Sequence, residues 1–182
     1  MRRYTHLILG LLAAAILSLP AQADDSMQNP VIKSGGAVHP LPDAALQPDR
    51  NQTYKALFSV TKGASDPKDL NDALDHVARA VNVFASAGVP LDHLKFAVVV
   101  HGPATPLVLD GASYQKHFGT DNPNLKLIHE LKAAGVQIYV CGQALAGMKY
   151  QASEVNPDVK VALSALSTIV ILQQQGYALM PM

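Results

Sequence analysis

A single thiol and a strand-end histidine are the side chains in this sequence whose type and placement suit covalent chemistry. Cys141 is the one cysteine, and it follows the apolar run at 136–140 and precedes Gly142, Gln143 and Ala144. In open α/β sheets, ligands and chemistry collect at the carboxyl ends of strands, and the free N–H groups of a following helix favour an anion there. A thiolate is such an anion. Two readings stand at this point, a reactive thiol or a small apolar core residue, because free cysteine is among the most buried residue types. His101 closes the run at 94–100 in the same way, ahead of Gly102 and Pro103. If the two strands are neighbours, the imidazole could deprotonate Cys141 while the backbone groups of Gly142 and Gln143 stabilise the thiolate. The other reading of His101 is a turn histidine satisfied by backbone or water.

Other chemistries lack their parts. The seven histidines show no paired short spacing, and His6 falls in the apolar amino-terminal segment. Structural zinc needs four ligands and catalytic zinc three, so no metal is expected. There is no Gly-x-Gly-x-x-Gly turn, phosphate loop or Gly-x-Ser-x-Gly elbow, which leaves no cofactor motif. A Cys-x-x-Cys dithiol is impossible with one cysteine. Asp110 is a lone carboxylate near the end of the strand that carries His101.

These two residues need a sheet to hold them. The run at 54–60 has strand length and strand composition, and 94–100 is nearly continuous apolar, as in a strand covered on both faces. Between them Ser65-Asp66-Pro67 resembles a helix start, and Leu70, Leu74, Val77, Val81 and Phe84 recur at helical spacing up to Gly88. His76 and Arg79 fall on the polar face. A short helix is expected around 114–118. A second capped start at Asp121-Asn122-Pro123 leads a helix with Leu125, Ile128 and Leu131. The strand at 136–140 then delivers Cys141. A short helix at 142–148, a strand at 159–163, a helix capped by Ser164 and a closing strand at 177–180 complete the order. Strands alternating with helices imply parallel crossovers, hence a three-layer α/β/α sandwich with a mainly parallel sheet of about five strands.

The amino terminus reads as a secretory signal over residues 1–23. Arg2 and Arg3 precede an apolar run at 7–19, then Pro20 and Ala21-Gln22-Ala23, with cleavage expected after Ala23. The run is short of the ~20 residues a transmembrane helix needs; an uncleaved anchor is the alternative. Cleavage leaves 182 − 23 = 159 residues, with 14 − 2 = 12 Lys and Arg against 14 Asp and Glu, a net charge of −2. Such a balance gives no support to nucleic-acid binding. No stable membrane insertion is expected after cleavage, and the product would be periplasmic or secreted. In an oxidising compartment structural cysteines come in pairs, so unpaired Cys141 is an inert thiol, an intermolecular bridge or a reacting group. Residues 24–52 hold Pro30, Pro40, Pro42, Pro48 and the Gly35-Gly36 pair, the composition of an extended, flexible arm, with Val31, Ile32 and Val38 as spots that could dock on the body or on a neighbour. The body occupies 53–182.

Across 54–182, the order of elements with Val98 to Pro103, Asp121 to Leu131 and Gly135 to Leu145 resembles the DsrE/DsrF-like family. The resemblance implies a small α/β domain that assembles into trimers or hexamers. In its sulfur-relay members it implies a cysteine after this strand that carries sulfur as a persulfide, and Cys141 matches that position. The departure is the signal segment, since relay members are cytosolic; donor and acceptor therefore cannot be carried over. The function expected is an exported sulfur-handling protein in which Cys141 carries sulfane sulfur. The alternative is a non-catalytic oligomeric module binding a small ligand, with Cys141 merely buried.

Overall fold

A computed structural model describes residues 26–182, so the segment expected to be a secretory signal lies outside the described residues. The body is β1 (Tyr54–Val60), α1 (Asp72–Ser86), β2 (Leu94–Val100), α2 (Gly111–Phe118), α3 (Leu125–Ala133), β3 (Gln137–Cys141), α4 (Gly142–Gly147), β4 (Lys160–Ala162), α5 (Ala165–Gln174) and β5 (Ala178–Pro181). The five strands form one sheet in the order β4-β3-β2-β1-β5, and every pairing is parallel. This is the three-layer α/β/α arrangement expected from the alternation of elements.

Handedness decides which face each helix covers. From β1 the chain steps outward to β2, β3 and β4, and right-handed crossovers place those connections on one face. From β4 it returns across the whole sheet to β5, so the same rule puts α5 on the other face. The packing follows. Leu74, Val77 and Val81 of α1, Leu127, Ile128 and Leu131 of α3 and Leu145 of α4 join Phe58, Phe96 and Val98 in the large core. Each such side chain contributes about 1.5–3 kcal/mol of burial. The second core is small, with Leu57, Ala97, Val99 and Cys141 under Ala165 and Leu172 of α5.

Two helix starts differ from the sequence expectation, for one reason. The Ser65-Asp66-Pro67 signature makes a turn, with Lys68 N–H donating to Asp66 at 2.8 Å, and α1 begins only at Asp72. Buried Asn71 caps it, accepting from Ala73 and Leu74 N–H, while its own N–H donates to Asn124 Oδ1 at 2.9 Å. Likewise Asn122 does not cap α3; its amide donates to the carbonyls of Leu107 and Leu109 at 3.0 and 2.8 Å. Buried asparagines tie the two helix starts together, a tertiary demand that local cap patterns do not carry.

The segment before β1, read as a flexible arm, is largely irregular in backbone but docks on α1 and α3 through residues 31–36. Ile32 is fully buried and Val38 nearly so. Fully buried Asn82 of α1 clasps it, accepting from the N–H groups of Val31 and Ile32 and donating to the carbonyls of Ile32, Gly35 and Gly36. Glu130 of α3 accepts from the N–H groups of Lys33 and Ser34 and from the Ser34 hydroxyl. Gly36 takes a positive φ of 65°, and a side chain there would strike the α1 backbone at Arg79. The docking spots were readable as apolar residues; the partners, 50 and more residues away, were not.

Candidate functional site

Cys141 sits where the topology changes face. The helix after β3 joins the large-core side, whereas the helix after β4 crosses the opposite side, and adjacent strand ends of this kind are where α/β sheets form the crevice that binds ligands. The amino ends of α4 and α5 therefore meet at one place. Cys141 is the N-cap residue of α4, and an N-cap side chain faces the amides of the second and third helical residues. Those residues are Gln143 and Ala144. Across the crevice, Ala162 pairs with Cys141, and Ser164 and Ala165 follow at the start of α5.

The electrostatics favour the anion. Burial pushes the Cys141 thiol up, but the N–H groups of Ala165, Ala144 and Gln143 and the Ser164 hydroxyl together bring it below its ordinary value. The sulfur makes no short cap hydrogen bond as it stands, so these donors act as an open cradle for charge. Only 6% of the residue is exposed. Beside it, the face of β3 and β4 next to α5 carries a groove of about 390 Å³ lined by residues including Tyr139, Ala162, Leu163, Thr168 and Leu172.

The α4 amides that face the sulfur belong to Gln143 and Ala144, the second and third helical residues. Gly142, the first helical residue, must lack a side chain, because a Cβ there would lie 2.7 Å from the carbonyl oxygen of Ala162. Ser164 had been legible as a helix cap, and it does accept from Leu166 N–H at 3.2 Å, but its second role beside Cys141 needs the sheet order. The same is true of Ala165.

His101 and Cys141 stand at the carboxyl ends of the adjacent strands β2 and β3. The register pairs Val100 with Val140, so the following residues are neighbours one strand spacing apart, about 5 Å. The hydrogen bond of its Nε2, however, goes to Ser59 Oγ at 2.9 Å. Burial holds the imidazole below its usual pKa, which favours its neutral form over the imidazolium. Asp110 caps α2, accepting from Ser113 N–H at 2.7 Å, and takes no part in the crevice. His117 pairs with Glu154 at 3.1 Å and His129 with Asp158 at 2.9 Å. Among the described residues no three histidine, cysteine or carboxylate side chains gather as a metal site, and no helix is long and apolar enough to cross a membrane.

No curated protein matches the chain. Among solved structures, a protein of unknown function, MTH1491 from Methanobacterium thermoautotrophicum, is similar at 19% identity with a TM-score of 0.53, over 71% of this chain and 99% of that one. That likeness bears on the fold. The DsrE/DsrF-like family model matches residues 55–182, from β1 through the carboxyl terminus and including the whole crevice around Cys141. The chain belongs to the DsrE/DsrF-like family, which is associated with sulfur relay.

Proposed function

We propose that Cys141 is a sulfur-carrying nucleophile and that the protein handles sulfane sulfur after export, with the signal segment removed near Ala23. One observation carries the reading: the starts of two helices from adjacent strands converge on one sulfur and lower its pKa although the residue is buried. An inert core cysteine needs no such donors. In the reaction, His101 takes the Cys141 proton and the thiolate attacks the outer sulfur of a persulfide R–S–SH. The S–S bond of the donor breaks as the new Cys141 S–S bond forms, and the departing thiolate takes the proton back from His101. One thiol and one persulfide exchange a sulfur atom with no net oxidation.

The working form is proposed to be a homo-oligomer, as the family resemblance implies. Support comes from α5, the one helix among the described residues that crosses its face of the sheet. A ten-residue helix is about 15 Å long and 10 Å wide, whereas five strands span about 19 Å. Leu163 and Leu166, beside the thiolate donors, are 76% and 81% exposed, and Val170, Ile171 and Leu179 extend the apolar surface. A second copy on this face would bury it. Sedimentation of wild type against Leu166→Glu reads this out: an assembled wild type and a dissociated variant are expected, and a monomeric wild type contradicts it.

The low exposure of Cys141 favours the rival reading, a ligand-binding module with a buried cysteine. Intact mass after polysulfide treatment separates the two. Wild type gains sulfur and Cys141→Ser does not if Cys141 is the carrier. Equal masses with and without polysulfide in the wild type favour the binding module.

A further inference from the structure

We propose that Ser59 is a positioning residue for the Cys141 chemistry, its hydroxyl holding the His101 ring so that the free nitrogen faces the thiol. The inference rests on Cys141 being the nucleophile. Its geometry comes from the register of three adjacent strands. Leu57 on β1, Ala97 and Val99 on β2 and Cys141 on β3 meet in the small core under α5. Ser59 is two residues beyond Leu57 and His101 two beyond Val99, and the backbone at His101 is extended, with φ −156° and ψ 175°. Side chains alternate along a strand, so Ser59, His101 and Cys141 stand on the same face. Ser59 pairs with Val99, one same-face rung before His101, while His101 and Cys141 follow the paired Val100 and Val140, so the Ser59 hydroxyl reaches the ring diagonally across strands about 5 Å apart.

The Ser59 Oγ to His101 Nε2 distance is 2.9 Å, and both side chains are half-buried. A neutral imidazole has one N–H donor and one lone pair. When Nε2–H donates to Ser59 Oγ, the lone pair is on Nδ1, the nitrogen left for the Cys141 proton. The third group that orients a base in activated nucleophiles has this task. The S–H bond of Cys141 breaks, an N–H bond forms at Nδ1, and the imidazolium holds the proton until the departing thiolate takes it back. The Ser59 hydroxyl keeps its own proton throughout. The sequence shows Ser59 only as a small polar residue in β1; the pairing with His101, 42 residues on, needs the parallel register.

Other ionisable groups borne on this face or beside it are Lys55, Lys95, Tyr139, Lys160 and Tyr177, while α4 and α5 carry no charged side chain. All are retained when Ser59 is changed, so they cancel in a comparison of variants. The experiment compares the full exported chain as wild type, Ser59→Ala and Ser59→Thr. It records the pH–rate profile of Cys141 alkylation by iodoacetamide and the ¹⁵N shifts of the His101 ring. Ser59→Ala is expected to slow alkylation near neutral pH about two- to tenfold, the range given by one ordinary hydrogen bond, and to mix the His101 tautomers. Ser59→Thr restores both. An unchanged profile and tautomer in Ser59→Ala overturns the proposal. So does a uniform loss of rate at every pH with the tautomer intact, the mark of a merely structural role. If wild type takes up no sulfur, the carrier reading fails on its own, and the alkylation profile and ring shifts still decide the role of Ser59.

Discussion

Ser164 separates thiolate stabilisation from fold stability, because its hydroxyl serves both. It caps α5 through Leu166 N–H and is one of the groups that hold the Cys141 thiol below its ordinary pKa. Ser164→Ala removes both roles. Loss of a cap costs about 1 kcal/mol of stability. Loss of one hydrogen bond to a charged group, taken at the low end of about 1.5 kcal/mol because the sulfur makes no short contact, reduces the thiolate about tenfold relative to the thiol. A more basic thiolate is also more nucleophilic, with a Brønsted slope near ~0.5, which returns about threefold. Alkylation near neutral pH should therefore slow about threefold. Ser164→Asp restores the cap but sets a carboxylate beside the sulfur. The expected order of alkylation rates is wild type, then Ser164→Ala, then Ser164→Asp, while thermal stability places Ser164→Asp with wild type and Ser164→Ala below. Iodoacetamide kinetics and melting curves on the three proteins give both orders. Equal rates, or rates that follow stability, would refute the claim that Ser164 acts on the thiolate.

Gly142→Ala should destabilise by about 1–3 kcal/mol, because the new Cβ meets the Ala162 carbonyl at 2.7 Å; a melting curve matching wild type would show that α4 can shift at no cost. Asn82→Ala leaves buried backbone groups of Val31, Ile32 and Gly36 without partners and should cost about 3 kcal/mol, with the segment before β1 becoming sensitive to limited proteolysis. Acid should loosen the same segment. Burial pushes Glu130 up, but Ser34 and the Lys33 N–H hold its carboxyl below the ordinary value of 4.5. Its contribution is thus fully present above that value and lost as pH falls through the lower folded one. Hydrogen exchange at Lys33 and Ser34 should rise over that acidic window in wild type and show no such step in Glu130→Gln.

The sheet was legible because each strand announces itself locally. The continuous apolar run of β2 and the Gly-bounded run of β3 are the marks of strands covered on both faces, and the Ser164 cap located α5 to the residue. Half of the crevice was legible on the same basis, since Cys141 and His101 each end such a run. What was hidden depends on which strands lie side by side and on which face each helix packs. Ser164 and Ala165 reach Cys141 only because β4 pairs with β3 while α5 changes face. The helix starts at Asn71 and Asn124 were hidden for a like reason: the two are tied by the hydrogen bond from Asn71 N–H to Asn124 Oδ1, and the better local signatures at Asp66 and Asn122 serve a turn and two carbonyls of the preceding loop.

The central claim, that Cys141 takes up one sulfur and passes it on, is tested most directly by following the mass of the native protein through two steps. Incubation with a persulfide donor should add a single sulfur atom to the peptide containing Cys141. Removal of the donor and addition of a small thiol should then return that peptide to its starting mass, with Cys141→Ser unchanged at both steps. A wild-type peptide that gains no sulfur, or gains it and does not release it to the thiol, would contradict the account.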